Sequence, residues 1–84
     1  RSELVNIARD ICNLGGSSGA IFNAANEVAV QSFLEEQITF DKIYEVIYRT
    51  FNAIPMSKYI DIDTIYETDN QTRIEAKKVV KSIS

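Results

Sequence analysis

One stretch of the sequence, residues 21–34, constrains the fold more than any other. It reads IFNAANEVAVQSFL and contains neither proline nor glycine. At the roughly 100° per residue of an α-helix, its small and apolar residues gather on one broad face. That face comprises Ile21, Phe22, Ala25, Val28, Ala29, Ser32 and Phe33. The period predicts a helix that packs this face into a core.

The opposite face of the same predicted helix carries Asn23, Asn26 and Glu27, but Val30 and Leu34 lie among them. A helix on the surface of a lone small domain normally keeps its outer face polar. One interpretation is that these are ordinary surface apolar residues without a role. The other is that the second face docks on something larger. The chain begins at Arg1 without an initiator methionine, which predicts a fragment of a longer protein.

Length and charge limit the classes of partner. With 84 residues the chain is predicted to form one domain. Its net charge of −3 and its scattered basic residues argue against a nucleic-acid partner. No apolar run approaches the roughly 18 residues of a membrane span, so no membrane partner is expected. Cys12 is the only cysteine, so an internal disulfide is excluded, and a buried helix position is predicted for it.

The remaining pattern is helical. A helix over about residues 2–14 is predicted to end at Gly15-Gly16, where glycine adopts the left-handed conformation. The helix that contains residues 21–34 is predicted to begin at a Ser18 cap and to run to about Glu36 or Gln37. Thr39 is predicted to cap a further helix, which Pro55 ends.

The last third of the chain is predicted to hold two helices. Residues 61–66 alternate like a strand, but a strand would have no partner here, so a short helix capped by Asp61 is preferred. Asp69 is predicted to cap the final helix, whose apolar stripe is Ala76, Val79, Val80 and Ile83. The predicted fold class is therefore all-α, a compact bundle of four main helices with one short extra helix.

Catalytic chemistry is sparse in this sequence. Histidine is absent, which removes the commonest general base and the usual Cys/His zinc sites. Asn23, Asn26 and Glu27 form the best polar constellation, since their spacing places them side by side on a helix. They could hydrogen-bond an adjoining loop but lack a base or nucleophile. No catalytic, cofactor-binding or metal-ligating residue is therefore predicted in this segment.

Three weaker patterns each allow a functional and a structural interpretation. The Gly15–Gly19 loop could bind an anion at a helix N-terminus, although a plain helix-to-helix turn is favoured. The acidic cluster could bind a cation, although helix capping and a solvated face account for it; it comprises Asp61, Asp63, Glu67 and Asp69. The tyrosines could line a groove, although half-buried packing is favoured; they are Tyr44, Tyr48, Tyr59 and Tyr66.

Several of these motifs, taken together, resemble a known family. Gly15-Gly16, the Asn23–Glu27 string NAANE, Phe33-Leu34 and the helix start over residues 38–43 resemble the C-terminal domain of 1-deoxy-D-xylulose 5-phosphate reductoisomerase. The resemblance spans essentially the whole chain. It departs from the family pattern in Ser32 before Phe33-Leu34 and in Asp41, which falls one place early.

The resemblance implies a role within a larger enzyme of isoprenoid biosynthesis, the methylerythritol phosphate pathway. The full-length enzyme is expected to convert 1-deoxy-D-xylulose 5-phosphate to 2-C-methyl-D-erythritol 4-phosphate with NADPH and Mg or Mn. It is expected to be a homodimer in the bacterial cytoplasm or a plastid-type organelle. The family's catalytic, metal and nucleotide motifs have no counterpart in residues 1–84.

Residues 1–84 are accordingly predicted to be the C-terminal helical domain of such a reductoisomerase, inactive alone. Their expected partner is the remainder of the same polypeptide, the catalytic domain, and NAANE is expected to be scaffold. The alternative is a free-standing helical protein-interaction module that binds through Val30 and Leu34.

Overall fold

Three helices make up the part of the chain that the computed structural model describes, which is Asn6, Arg9 and residues 15–84. Helix α1 spans Ser18–Leu34, α2 spans Lys42–Ala53 and α3 spans Ile62–Ile83. Each of the three packs against the other two, and these residues form no strand. Asn6 and Arg9 are helical and exposed. The rest of the helix predicted over residues 2–14, with Cys12, lies outside the described residues.

The prediction of four main helices with one short extra helix is wrong, because the described residues contain three. The short helix at Asp61 and the final helix predicted from Asp69 are one continuous helix, α3. Asp69 does not cap a helix start; its carboxylate lies 2.8 Å from Arg73 Nε, one turn further along. With no glycine or proline between residues 56 and 84, nothing in the sequence interrupts α3.

The core confirms the predicted inner face of α1. Ile21, Ala25, Val28, Ala29 and Ser32 are all buried. Phe22 and Phe33 pack at its edge, as expected. The other two helices contribute Ile43, Val46, Ile47, Ala76, Val79 and Val80, with Ile83 partly buried beside them. Burial of such aliphatic side chains stabilises the fold by roughly 1.5–3 kcal/mol each.

The predicted helix boundaries are partly right. Asp61 caps α3 as predicted, with its Oδ1 accepting a hydrogen bond from the Thr64 backbone N–H at 2.7 Å. The chain leaves α2 at Ile54, in extended conformation before Pro55. However, the N-cap residue of α1 is Ser17 rather than Ser18, without a side-chain capping hydrogen bond, and α1 ends at Leu34. Likewise α2 begins at Lys42, because Thr39 and Phe40 first form a turn.

Two glycines shape the approach to α1. Gly15 and Gly16 have φ values of +72° and +59°, which confirms the predicted left-handed conformation. Gly16 also lies against the Ser57 backbone, where an added Cβ would collide with the carbonyl oxygen. Beside it, the Ser17 N–H donates to the Ser57 carbonyl at 2.8 Å, and the Ser57 N–H donates to Ser17 Oγ at 2.9 Å. This 15–17 turn thereby fixes the segment between α2 and α3.

Within the described range, none of the helices has the length and apolar character that a membrane crossing requires.

Candidate functional site

The NAANE segment lies in the middle of α1 and divides between core and surface. Ala24 and Ala25 are fully buried, whereas Asn23 and Glu27 are exposed and Asn26 is partly buried. Asn23 Nδ2 donates to Glu27 Oε2 at 3.3 Å, one helical turn away. The structure thus brings the predicted polar constellation together on one side of α1, where its carboxylate is already engaged.

Arg73 connects this constellation to α3. Its Nη2 lies 2.8 Å from Glu27 Oε1, and its Nε lies 2.8 Å from Asp69 Oδ2. The hydrogen bonds that Arg73 donates to Asp69, and then to Glu27, raise the pKa of the Arg73 guanidinium further above its usual range. Arg73 therefore stays charged and holds α1 to α3. The spacing of Asp69 and Arg73 is readable in the sequence, but the contact with Glu27 joins distant segments and was missed.

A groove of about 960 Å³ runs beside this bridge between α1 and α3. Its lining mixes amide, charged and aliphatic side chains, among them Asn26, Glu27, Val30, Gln31, Arg73, Lys77 and Lys81. The carboxylates on the α1 side already have partners, since Glu27 binds Arg73 and Glu35 accepts from Gln31 at 2.8 Å. The lining offers no nucleophile paired with a general base.

The carboxylates of the acidic cluster, which was considered as a possible cation site, do not come together around one point. Asp61 caps α3 and Asp69 binds Arg73, while Asp63 and Glu67 are exposed on α3. Over residues 15–84 and the two described positions before them, no three Cys, Asp or Glu side chains gather as metal ligands. The tyrosines do not line the α1–α3 groove either. Tyr44 and Tyr48 instead stack on α2, with ring centroids 5.9 Å apart.

Two groups among the exposed apolar side chains are candidates for docking. Val30 and Leu34, near the C-terminal end of α1, are 37% and 65% exposed, which confirms that the outer face of this helix is not purely polar. A second surface, the 56–66 patch, was not predicted. It consists of Met56, Tyr59, Ile60, Ile62, Ile65 and Tyr66, all of them exposed. These residues are apolar in the sequence, but their irregular spacing did not indicate that all six side chains would be exposed.

Comparison with known proteins identifies the family of this chain. A family profile described as "DXP reductoisomerase C-terminal domain" matches residues 1–75. The chain belongs to this family. The NAANE string and the helix start over residues 38–43 both lie inside the matched range, so the resemblance seen in the sequence is confirmed.

Individual relatives agree. The chain is 37% identical over 82 residues to 1-deoxy-D-xylulose 5-phosphate reductoisomerase of Janthinobacterium sp. (strain Marseille), covering 98% of this chain and 21% of the relative. It is 43% identical over 65 residues to the reductoisomerase of Halothermothrix orenii, covering 77% of this chain and 17% of the relative. The chain thus spans about a fifth of the length of the curated relatives it matches.

A solved structure shares the fold. The reductoisomerase from Zymomonas mobilis, determined in complex with NADPH, superposes with a TM-score of 0.86 at 30% identity. The match covers 92% of this chain and 20% of that one. A similar helical arrangement therefore occurs within a protein about five times as long.

Proposed function

We propose that residues 1–84 are the C-terminal domain of a full-length 1-deoxy-D-xylulose 5-phosphate reductoisomerase and serve it as a non-catalytic support. The observation that carries this proposal is the family match over residues 1–75. The described side chains fit a structural role, because the α1–α3 groove pairs no nucleophile with a general base and its Glu27 carboxylate is engaged by Arg73. The same match favours this role over a free-standing interaction module.

The full-length enzyme would reduce and rearrange 1-deoxy-D-xylulose 5-phosphate to 2-C-methyl-D-erythritol 4-phosphate, using NADPH and a divalent metal. The described residues of this chain do not fit the metal, since they gather no ligand set. We therefore assign no step of the reaction to them. The metal, the NADPH and the substrate would be held by the remainder of the polypeptide. We further propose that this enzyme is a homodimer. The bacterial origin of the relatives supports a location in the bacterial cytoplasm rather than in a plastid-type organelle.

Support here means that the domain packs against the catalytic domain and braces its active-site arm. Val30 and Leu34 are the contacts proposed for this packing, since both expose apolar surface beside the polar face of α1. Catalysis depends on holding reacting groups to within fractions of an ångström, so a brace that touches no substrate still affects the rate.

Oxidation of NADPH in the presence of 1-deoxy-D-xylulose 5-phosphate and Mg²⁺ tests the proposal. The full-length protein that carries this domain should turn over, and the 84-residue chain assayed under the same conditions should give only the background rate. Turnover by the short chain alone would refute the supporting role. A folded full-length protein that leaves the substrate unchanged would refute the assignment as a reductoisomerase.

A further inference from the structure

Helix α3 is longer than the helices it packs against. It has 22 residues against 17 in α1 and 12 in α2, which corresponds to lengths of about 33, 25 and 18 Å. The first buried residue of α3 is Thr68, so the turns before it, residues 62–67, contain no buried residue. Isolated helical turns are marginally stable in water without tertiary contacts. These first turns of α3 therefore need a contact that stabilises them.

The first turns of α3 expose large apolar side chains, whereas a solvated helix end normally exposes polar ones. Ile62 is 71% exposed and Tyr66 is 69% exposed, and their spacing places them on one side of α3. Ile65 continues toward the buried stripe that begins at Thr68. Tyr59, 69% exposed, adds a second aromatic ring just before the helix. Six large apolar side chains exposed within so short a segment exceed the scattered apolar residues of an ordinary surface.

The patch is held in a defined conformation rather than left loose. Ser57 Oγ donates to the Tyr59 carbonyl at 3.1 Å and accepts from the Tyr59 N–H at 3.2 Å. Asp61 caps the helix at Thr64, and the 15–17 turn binds the Ser57 backbone. A surface ordered in advance loses less conformational entropy when a partner covers it.

The family and the length of its members indicate which partner covers the patch. The related Zymomonas structure is about five times as long, and this family is that of the C-terminal domain. In the full-length enzyme the additional polypeptide therefore lies ahead of this domain, and it is the large partner that an exposed apolar surface on the domain would meet.

We infer that the 56–66 patch docks on the polypeptide that precedes residues 1–84 in the full-length reductoisomerase. The inference rests on the proposed function, and it adds a contact distinct from Val30 and Leu34. The occupant is expected to have an apolar centre that receives Tyr59, Ile62 and Tyr66. Around that centre it should carry basic groups, because Asp63 and Glu67 are exposed beside the patch.

Hydroxyl-radical footprinting of the full-length protein tests the docking directly. For each tyrosine, protection is the oxidation rate in the urea-unfolded protein divided by the oxidation rate in the native protein. Tyr59 and Tyr66 should be protected at least about fivefold, since a docked aromatic ring is withdrawn from solvent. Rates within about twofold of the unfolded protein would overturn the inference. Protection that disappears on dilution would assign the patch to a second copy and also overturn it.

A pair of full-length variants provides the second arm. Ile62→Glu with Tyr66→Glu should return Tyr59 to rapid oxidation while helical content by circular dichroism is kept, because glutamate is tolerated in the first turns of a helix. The control is Ile74→Glu, at a residue of α3 that is 59% exposed and lies outside the patch; it should leave Tyr59 protected. Continued protection of Tyr59 in the double variant would contradict the docking.

Turnover of 1-deoxy-D-xylulose 5-phosphate, measured on the same samples, separates the two proposals. Unprotected tyrosines in an active enzyme would refute the docking and leave the proposed function standing. Protected tyrosines in a folded protein without turnover would refute the proposed function and leave the docking standing.

Discussion

Thr50 and Thr72 are both buried in the core, but their hydroxyl groups differ in hydrogen bonding. Both side chains are fully buried. Thr72 Oγ1 donates to the Thr68 carbonyl at 2.7 Å, whereas Thr50 Oγ1 makes no hydrogen bond within the described part of the chain. A buried hydroxyl without a partner lowers stability, because it has lost its hydrogen bonds to water.

Thr50→Val should therefore increase the free energy of unfolding by about 1 kcal/mol, since valine has the same shape without the hydroxyl. Thr72→Val is the matched control and should show no gain, because it removes a hydrogen bond that is made. Urea unfolding of the two variants and the parent chain measures the difference. Equal effects of the two substitutions would show that hydrogen bonding at Thr50 is not what limits stability there.

For single residues, the sequence predicts the features that depend on neighbours along the chain. The left-handed glycines and the Asp61 cap follow from local backbone preferences and are correct. Contacts between distant segments could not be read in the same way. Gly16 meets Ser57, and Glu27 meets Arg73, only because the bundle brings the helices together.

In α3, the capping preference of a single residue led to a wrongly predicted helix start. Asp69 has the residue type of a cap, but it lies within a stretch that contains neither glycine nor proline and has a helical partner in Arg73. Capping preferences describe helix ends and do not create them. By contrast, the face of α1 was predicted correctly, because its period extends over several turns and the core buries it as a unit.

Because Asp61 caps the start of α3, the folding stability of the chain is expected to depend on pH in the acid range. The Thr64 backbone N–H, and then the Thr64 hydroxyl, hydrogen-bond the Asp61 carboxylate and lower its pKa below the ordinary 3.8. A carboxyl with a lowered pKa stabilises the folded state fully above its ordinary value and loses that contribution as the pH falls through the folded value. The urea midpoint should therefore fall as the pH is lowered below about 4.

Asp61→Asn separates this effect from general acid unfolding, because the asparagine oxygen still caps the helix but does not titrate. The variant should lose less stability than the parent between pH 5 and pH 2. Equal losses would assign the acid response to other carboxyl groups. One of these is Asp41, whose pKa is also lowered, chiefly by the Thr39 hydroxyl.

For the whole molecule, the arrangement of exposed apolar groups carries the information about function. Val30 and Leu34 lie toward the C-terminal end of α1, and the 15–17 turn and the 56–66 patch lie at its N-terminal end. The helix between them is about 25 Å long. The sequence predicted the first surface because it interrupts a helical period. It did not predict the second, because the apolar residues of the 56–66 patch follow no regular spacing.

The Val30 and Leu34 surface can be tested in the full-length enzyme. Val30→Asp with Leu34→Asp should weaken packing of this domain on the catalytic domain, because docking would then bury unpaired carboxylates. We expect a loss of about 2 kcal/mol or more in the free energy of unfolding, together with lower turnover.

Ile74→Asp, at an exposed apolar residue of α3, is the control for introducing aspartate into a helix. Because the two surfaces lie at opposite ends of α1, the losses from this pair and from the patch variants should add. Stability and turnover that match the Ile74→Asp control would show that Val30 and Leu34 do not take part in docking.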